Sequence, residues 1–207
     1  RAKTYRIEEI ASIMPQREPF LFLESVTIDG ESASATYRIS GNEYFLEGHF
    51  KDNPVFPASI MIEALGQLGV FYLLKGKHSS LSSPARPDSI FFTSCDGVKC
   101  RRICKPGETL QMVVRPKRMR HPLAVFEGEI KVGDEKTASA EEIKLTFDYY
   151  PTVQGDSEEA LSTPITSAST NGNGTNGNGS HGGLTPLPIA PHNPTVPSRG
   201  TDISLVD

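Results

Sequence analysis

The sequence predicts an α+β fold in which an antiparallel β-sheet wraps around one long central helix. Residues 57–75 are apolar on almost every face, which is typical of a helix buried on all sides. Strand-like segments lie on both sides of this helix in the chain, and turn signals such as Pro106 followed by Gly107 separate most of them. Strands grouped before and after a helix, rather than alternating with helices, favour the α+β class.

The shorter elements are predicted from the spacing of apolar residues. Residues 7–15 have helical spacing and stop at a proline. The segments expected to form strands are rich in apolar residues or alternate between apolar and polar ones. They comprise residues 20–29, 32–40, 89–94, 97–103, 109–119, 123–132 and 138–150.

The long helix is expected to begin near Pro57 and to end at Lys75. Proline is favourable in a first helical turn because its missing N–H would have no partner there. Gly76 follows as a C-terminal stop. The loop at residues 41–57 leads into this helix and is unusually apolar for a surface connection.

Charge and composition divide the chain near residue 150. Residues 1–150 hold 20 basic and 20 acidic residues, so the net charge of −4 lies entirely in residues 151–207. This second part is rich in Gly, Asn, Ser and Pro, which is typical of a disordered tail or an interdomain linker. The first part is expected to fold as one domain, and its neutrality argues against a general binder of polyanions.

Cysteine content and hydropathy indicate the compartment. Three cysteines and the lack of a secretory signal in this sequence favour a reducing, cytoplasmic location. The longest apolar run, residues 67–75, is much shorter than the ~20 residues that a membrane span needs. We therefore expect no membrane-spanning segment.

His49 and Glu63 are the candidate catalytic residues. Glu63 lies in the otherwise apolar helix, where a carboxyl group must be paired, hydrogen-bonded or protonated. Alternatively, Glu63 faces solvent and is stabilised by the helix dipole, and His49 is a structural loop residue. A histidine base and a protonated carboxylic acid suit the removal of a proton from one carbon and of a hydroxyl group from the next. The backbone N–H of Ala58 is placed to polarise a carbonyl oxygen.

The stretch GHFKDNPVFPASIMIEA (residues 48–64) resembles the FabZ-type 3-hydroxyacyl-[acyl carrier protein] dehydratases, which have the hotdog fold. The resemblance extends over residues 5–150, including MPQREPFLFLESV, CDGVKCRRICKPGETL and EIKLTF. It implies that His49 removes the α-proton and that Glu63 is the acid that acts on the 3-hydroxyl group. The residues expected to bind substrate are Phe50, Pro57, Ala58 and Gln67.

The resemblance also implies how the enzyme is assembled and what it binds. It predicts dehydration of (3R)-3-hydroxyacyl thioesters to trans-2-enoyl thioesters, with no metal or redox cofactor. In the family, histidine and glutamate come from neighbouring subunits, so a homodimer or a partner hotdog is expected. A basic cluster that includes Arg101, Arg102 and Lys105 is either a solvated sheet face or the docking site of an acidic acyl carrier protein.

Three positions depart from the family pattern. Ala58 replaces a glycine whose N–H approaches the thioester carbonyl, while Gln16 and Phe56 replace a common histidine and methionine. The amide of Ala58 is retained, so the added methyl group is expected to narrow the entrance or to shift the substrate. The other two changes bear on packing and pocket shape.

Three alternatives remain open at this stage. An isomerising, FabA-like dehydratase would yield a 3-enoyl product, and a hotdog thioesterase would yield a free acid. A non-catalytic hotdog protein would bind acyl chains without turning them over. The tail and the arginine at position 1 also suggest a domain of a larger fatty-acid or polyketide-type synthase.

Overall fold

An eight-stranded antiparallel sheet packs around one long helix in the computed structural model, which describes residues 1–152. The helices are α1 (Ile7–Ile13) and α2 (Ala58–Lys75). The strands are β1 (Lys3–Arg6), β2 (Ser25–Asp29), β3 (Ser32–Arg38), β4 (Phe91–Asp96), β5 (Lys99–Cys100), β6 (Thr109–Arg120), β7 (Leu123–Val132) and β8 (Glu135–Thr146). The order in the sheet is β1-β2-β3-β6-β7-β8-β4, and β5 pairs with β8.

The core lies between α2 and one face of this sheet. Alternate residues of β6, namely Leu110, Met112 and Val114, are buried, because successive side chains of a strand point to opposite faces. Helix α2 is buried over two thirds of its length. It is long and apolar enough to cross a membrane, but a core helix that is mostly enclosed by its own sheet has the same length and composition.

Two glycines of α2 allow the helix to approach the sheet closely. A Cβ atom on Gly66 would lie 2.7 Å from the ring of Phe92 in β4, which is too short for any real contact. A Cβ atom on Gly69 would lie 3.1 Å from the side chain of Leu145 in β8. Interiors pack at crystal-like density, so these two positions fix how deeply α2 sits against β4 and β8.

The predicted fold class and central helix are confirmed. Strand β1 was not predicted, and residues 20–24 do not form the first part of β2 as expected. There the backbone N–H of Phe22 donates instead to the side chain of Gln67 on α2. The predicted strand at residues 97–103 is reduced to Lys99–Cys100. The predicted disordered tail falls, apart from residues 151 and 152, outside the described residues.

Candidate active site

The loop before α2 holds His49 through its own backbone. The ring Nδ1 of His49 lies 2.7 Å from the carbonyl oxygen of Val55, and the N–H of Val55 donates to the carbonyl oxygen of His49 at 2.8 Å. Between them, Phe50 and Asn53 exchange two backbone hydrogen bonds in a tight turn, and the His49–Phe50 peptide bond is cis. Two pairs of hydrogen bonds, one between His49 and Val55 and one between Phe50 and Asn53, therefore fix the conformation of this loop.

These bonds determine which ring nitrogen of His49 is free. A carbonyl oxygen only accepts, so Nδ1 must carry the hydrogen that is donated to Val55. In the neutral ring, Nε2 is then the unprotonated nitrogen with an available lone pair. The ring is half-buried and stacks on Phe50, with ring centroids 3.9 Å apart. Nε2 is therefore the nitrogen of His49 that can accept a proton.

A cavity of about 350 Å³ opens beside His49. Four of the other predicted site residues line it: Phe50, Ala58, Arg101 and Arg102. Ala58 is the first residue of α2, where backbone N–H groups have no acceptor within the helix. The positive end of the helix dipole also lies there. The cavity therefore combines a base with donors suited to a carbonyl oxygen.

Glu63 lies in the second turn of α2 and is half-buried. Burial raises the pKa of its carboxyl group above the ordinary value, and a hydrogen bond from Gln67 partly opposes this shift. The bond runs from Nε2 of Gln67 to Oε1 of Glu63 over 3.0 Å. A carboxyl group with a raised pKa retains its proton to higher pH, which suits a general acid.

Gln67 is buried, with only 1% of its surface exposed, and its amide is fully engaged. Its oxygen accepts from the N–H of Phe22 at 2.9 Å, while its nitrogen donates to Glu63 and to the carbonyl oxygen of Phe20 at 3.1 Å. This geometry favours a positioning role over the direct substrate contact that the sequence predicts. Gln67 ties the carboxyl group of Glu63 to the segment that precedes β2.

Helix periodicity places Glu63 on a different side of α2 from the two helix residues that line the His49 cavity. At about 100° per residue, Glu63 is rotated about 140° from Ala58 and about 200° from Met61 around the helix axis. Ala58 and Met61 both line the His49 cavity, whereas Glu63, Pro57 and Gln67 do not. A single chain therefore does not bring His49 and Glu63 to the same cavity.

The three basic residues predicted to bind a carrier protein are not equivalent. Arg102 donates to both carboxylate oxygens of Glu108 and pairs with Glu135 at 2.8 Å. Lys105 donates from Nζ to the side chain of Asn53 at 3.0 Å. Arg101 is exposed and lines the cavity, and it forms no ion pair with any residue in the range 1–152. Arg102 is thus held by two carboxylates, whereas Arg101 and Lys105 are exposed and form no ion pair within residues 1–152.

Four residues of the cavity were not singled out from the sequence: Val55, Met61, Cys100 and Ile103. Met61 follows Ala58 by three positions and thus lies on the same helix face, so helix periodicity could have identified it. Cys100 is an exposed residue of β5. The position of β5 depends on its pairing with β8, which local sequence does not specify.

Comparison with known proteins identifies the family of this chain. The chain belongs to the FabA-like family, whose domain model matches residues 14–141. Its relatives include the 3-hydroxyacyl-[acyl-carrier-protein] dehydratase FabZ of Enterococcus faecalis, which is 37% identical over 148 residues, 68% of this chain and 95% of that protein. The FabZ of Anaplasma marginale is 34% identical over 136 residues, 65% of this chain and 91% of that protein.

A solved structure shows the same fold at low sequence identity. The dehydratase heterocomplex ApeI:P from Xenorhabdus doucetiae has a TM-score of 0.53 and 15% identity. The match covers 67% of this chain and 90% of that one. The chain therefore has the hotdog fold, as the sequence predicted.

Proposed function

We propose that this chain dehydrates 3-hydroxyacyl thioesters carried on the phosphopantetheine arm of an acyl carrier protein, giving trans-2-enoyl thioesters. The relatives named FabZ carry this activity in their names. The supporting observation within the structure is His49, which lines a cavity at the N-terminus of α2 and whose Nδ1 is held by the carbonyl oxygen of Val55.

In this reaction His49 takes the proton from the α-carbon, and the electron pair of that C–H bond forms the new double bond. The C–O bond at the β-carbon breaks, and Glu63 donates its proton to the departing hydroxyl group, which leaves as water. The N–H of Ala58 holds the thioester carbonyl oxygen while negative charge develops on it. Every group in this scheme is an amino-acid side chain or a backbone amide, so the proposal includes no metal or redox cofactor.

The active site is proposed to be composite, formed at least by a homodimer or with a partner hotdog. In this proposal a second subunit supplies Glu63 to the cavity of the first, and the absence of Glu63 from the lining of the His49 cavity in its own chain supports it. In a two-fold symmetric dimer this exchange is reciprocal and yields two equivalent sites.

Complementation between two inactive variants tests this arrangement. His49→Asn removes the base and Glu63→Gln removes the acid, so each variant alone should be inactive on a 3-hydroxyacyl carrier-protein substrate. Co-expression at equal levels gives heterodimers with one intact site, and random pairing predicts recovery of about a quarter of the wild-type activity. If the mixed preparation contains heterodimers and remains inactive, the composite site is wrong.

The same assay distinguishes the alternative chemistries. We expect only the trans-2-enoyl thioester, because no step above moves the double bond or attacks the thioester carbonyl. A 3-enoyl product would indicate isomerisation, and a free acid would indicate hydrolysis. The proposal extends to fatty-acid or polyketide-type biosynthesis in the cytoplasm, where acyl carrier proteins supply such substrates.

A further inference from the structure

A second cavity lies beside the C-terminal end of α2, about 26 Å along the helix from Ala58. Its volume of about 410 Å³ is within the range of small-ligand sites. Four cationic side chains line it: Arg1, Lys3, Lys75 and Lys77. The proposed dehydration uses none of these residues.

The four charges come from two distant parts of the chain. Lys75 is in the last turn of α2 and Lys77 follows it closely, and lysines there are favoured by the negative end of the helix dipole. This explanation does not apply to Arg1 and Lys3, which come from the start of the chain and from β1. Like charges around one space raise each other's electrostatic energy, so their convergence favours an anionic ligand.

The carboxylates near this cavity do not neutralise it. Asp29 and Glu31 flank Gly30, which lines the cavity, but the nearest basic partner of Glu31 is His78, at 3.9 Å. Among residues 1–152, no carboxylate forms an ion pair with any of the four cations. The Nζ of Lys3 lies 4.6 Å from the centroid of the Tyr5 ring, a cation–π contact that leaves its positive charge in place.

Tyr5 and Ile28, both buried, supply the apolar part of the lining. A cationic rim with apolar side chains beneath it fits a small organic anion better than an extended acidic polypeptide. We propose that this cavity binds a small molecule with at least two phosphate groups, which Lys3, Lys75 and Lys77 hold together with Arg1. Two phosphate groups offer enough negative charge and enough acceptor oxygens for the four cations that line the cavity.

Isothermal titration calorimetry of the full chain at low ionic strength tests the proposal, with inorganic pyrophosphate and ADP as probes. We expect at least one probe to bind with Kd below about 1 mM, and the Lys75→Glu/Lys77→Glu double variant to bind it at least about tenfold more weakly. Tighter binding of ADP than of pyrophosphate would show that the apolar lining holds the organic group. Equal binding would show that the phosphates alone are recognised.

The matched control is the Arg115→Glu/Arg118→Glu double variant, which makes the same change in net charge on the exposed face of β6. Its affinity should stay within about twofold of wild type. The proposal is overturned if wild type binds neither probe at about 5 mM, or if both double variants weaken binding equally. Circular dichroism verifies folding, and Lys75→Gln/Lys77→Gln replaces the first variant if charge reversal unfolds the chain.

Discussion

His49 and Val55 hold each other through two hydrogen bonds, one from ring Nδ1 to a carbonyl oxygen at 2.7 Å and one from a backbone N–H at 2.8 Å. The ring bond can be retained while the base is removed. In His49→Asn the side-chain amide can occupy the place of Nδ1–H, whereas nothing replaces Nε2. We expect this variant to fold like wild type and to lose dehydration by at least about 10²-fold, as measured by steady-state kinetics and thermal melting.

The companion variant His49→Gln extends its amide towards the position of Nε2 and does not reproduce the bond to Val55. It should be equally inactive but less stable, by about 0.5–1.5 kcal/mol for one lost hydrogen bond. Equal stability of the two variants would show that the bond to Val55 contributes nothing to the loop. Wild-type turnover in either variant would exclude His49 as the base.

Glu63→Gln is expected to abolish dehydration and yet to stabilise the protein at neutral pH. The pKa of Glu63 is raised above its ordinary value of 4.5 in the folded state, so the folded chain binds this proton more tightly than the unfolded chain. The contribution of Glu63 to folding stability is fully present at pH values below its ordinary pKa. It is lost as the pH rises through the raised pKa of the folded state. The side chain introduced by Glu63→Gln cannot ionise, so the variant does not lose this stability. Its carbonyl oxygen can still accept the hydrogen bond from Gln67.

Urea unfolding at several pH values checks the predicted direction of this change in stability. The variant should be more stable than wild type at pH 7, and the difference should disappear near pH 4, where Glu63 is protonated. A wild type that is more stable at pH 7 would mean that ionised Glu63 has a favourable partner in the assembled protein.

Gln67→Leu should affect both stability and the pH dependence of the rate. Loss of the acceptor leaves the buried N–H of Phe22 without its partner, which destabilises the fold by about 1–3 kcal/mol. Loss of the donor removes the bond that lowers the pKa of Glu63, so the alkaline limb of the rate profile should move to higher pH.

Thr137→Val is the matched control for this experiment. It removes another buried hydrogen bond, from Thr137 to the carbonyl oxygen of Ile130, without touching Glu63. It should reduce the free energy of unfolding and leave the alkaline limb of the pH–rate profile unchanged. If both variants shift the limb equally, Gln67 has no specific effect on the acid.

Two substitutions of Ala58 separate its N–H from its methyl group. Proline is tolerated at the first position of a helix, and the extended backbone of Pro57, with ψ of 133°, is compatible with a following proline. Ala58→Pro should therefore fold but lose about 10²–10³ in kcat, because the oxyanion donor is gone. Ala58→Gly retains the N–H and should keep kcat within several-fold, and comparable rates in the two variants would contradict the role of the amide.

Arg101→Glu should weaken the encounter with an acidic carrier protein without affecting the chemical step. We expect a higher KM for the carrier-bound substrate, a weaker dependence on salt, and an unchanged rate on a short pantetheine thioester. Arg118→Glu, on β6, is the control with equal charge change. Equal effects on both kinds of substrate would place Arg101 in the reaction site instead of the docking surface.

Sequence patterns predicted most of the fold because the strongest signals are local. The apolar helix and the alternating strands bury their own side chains, and Ala58 and Lys75 bound α2 within one residue of the prediction. Strand β1 has a single buried residue, Tyr5, among its four, and its identity depends on pairing with β2. Such pairing is non-local, so four residues of sequence do not reveal it.

The candidate residues were predicted from the sequence, but their arrangement across two subunits was expected only from the family resemblance. His49 and Glu63 are 14 positions apart, and sequence spacing alone does not show that they lie on different sides of α2. The role of Gln67 likewise depends on Phe20 and Phe22, more than 40 positions away. Contacts of this kind exist only once the segment before β2 has packed on the helix.

The contact between Gly66 and the ring of Phe92 limits which amino-acid substitutions can accumulate at these two positions during evolution. A Cβ atom at position 66 would lie 2.7 Å from that ring, so such a substitution requires either a smaller residue 92 or a shift of the ring, which is 40% exposed. Conversely, a smaller residue 92 alone leaves a gap against the helix. The two positions are therefore expected to vary together among homologues, as a pair rather than singly.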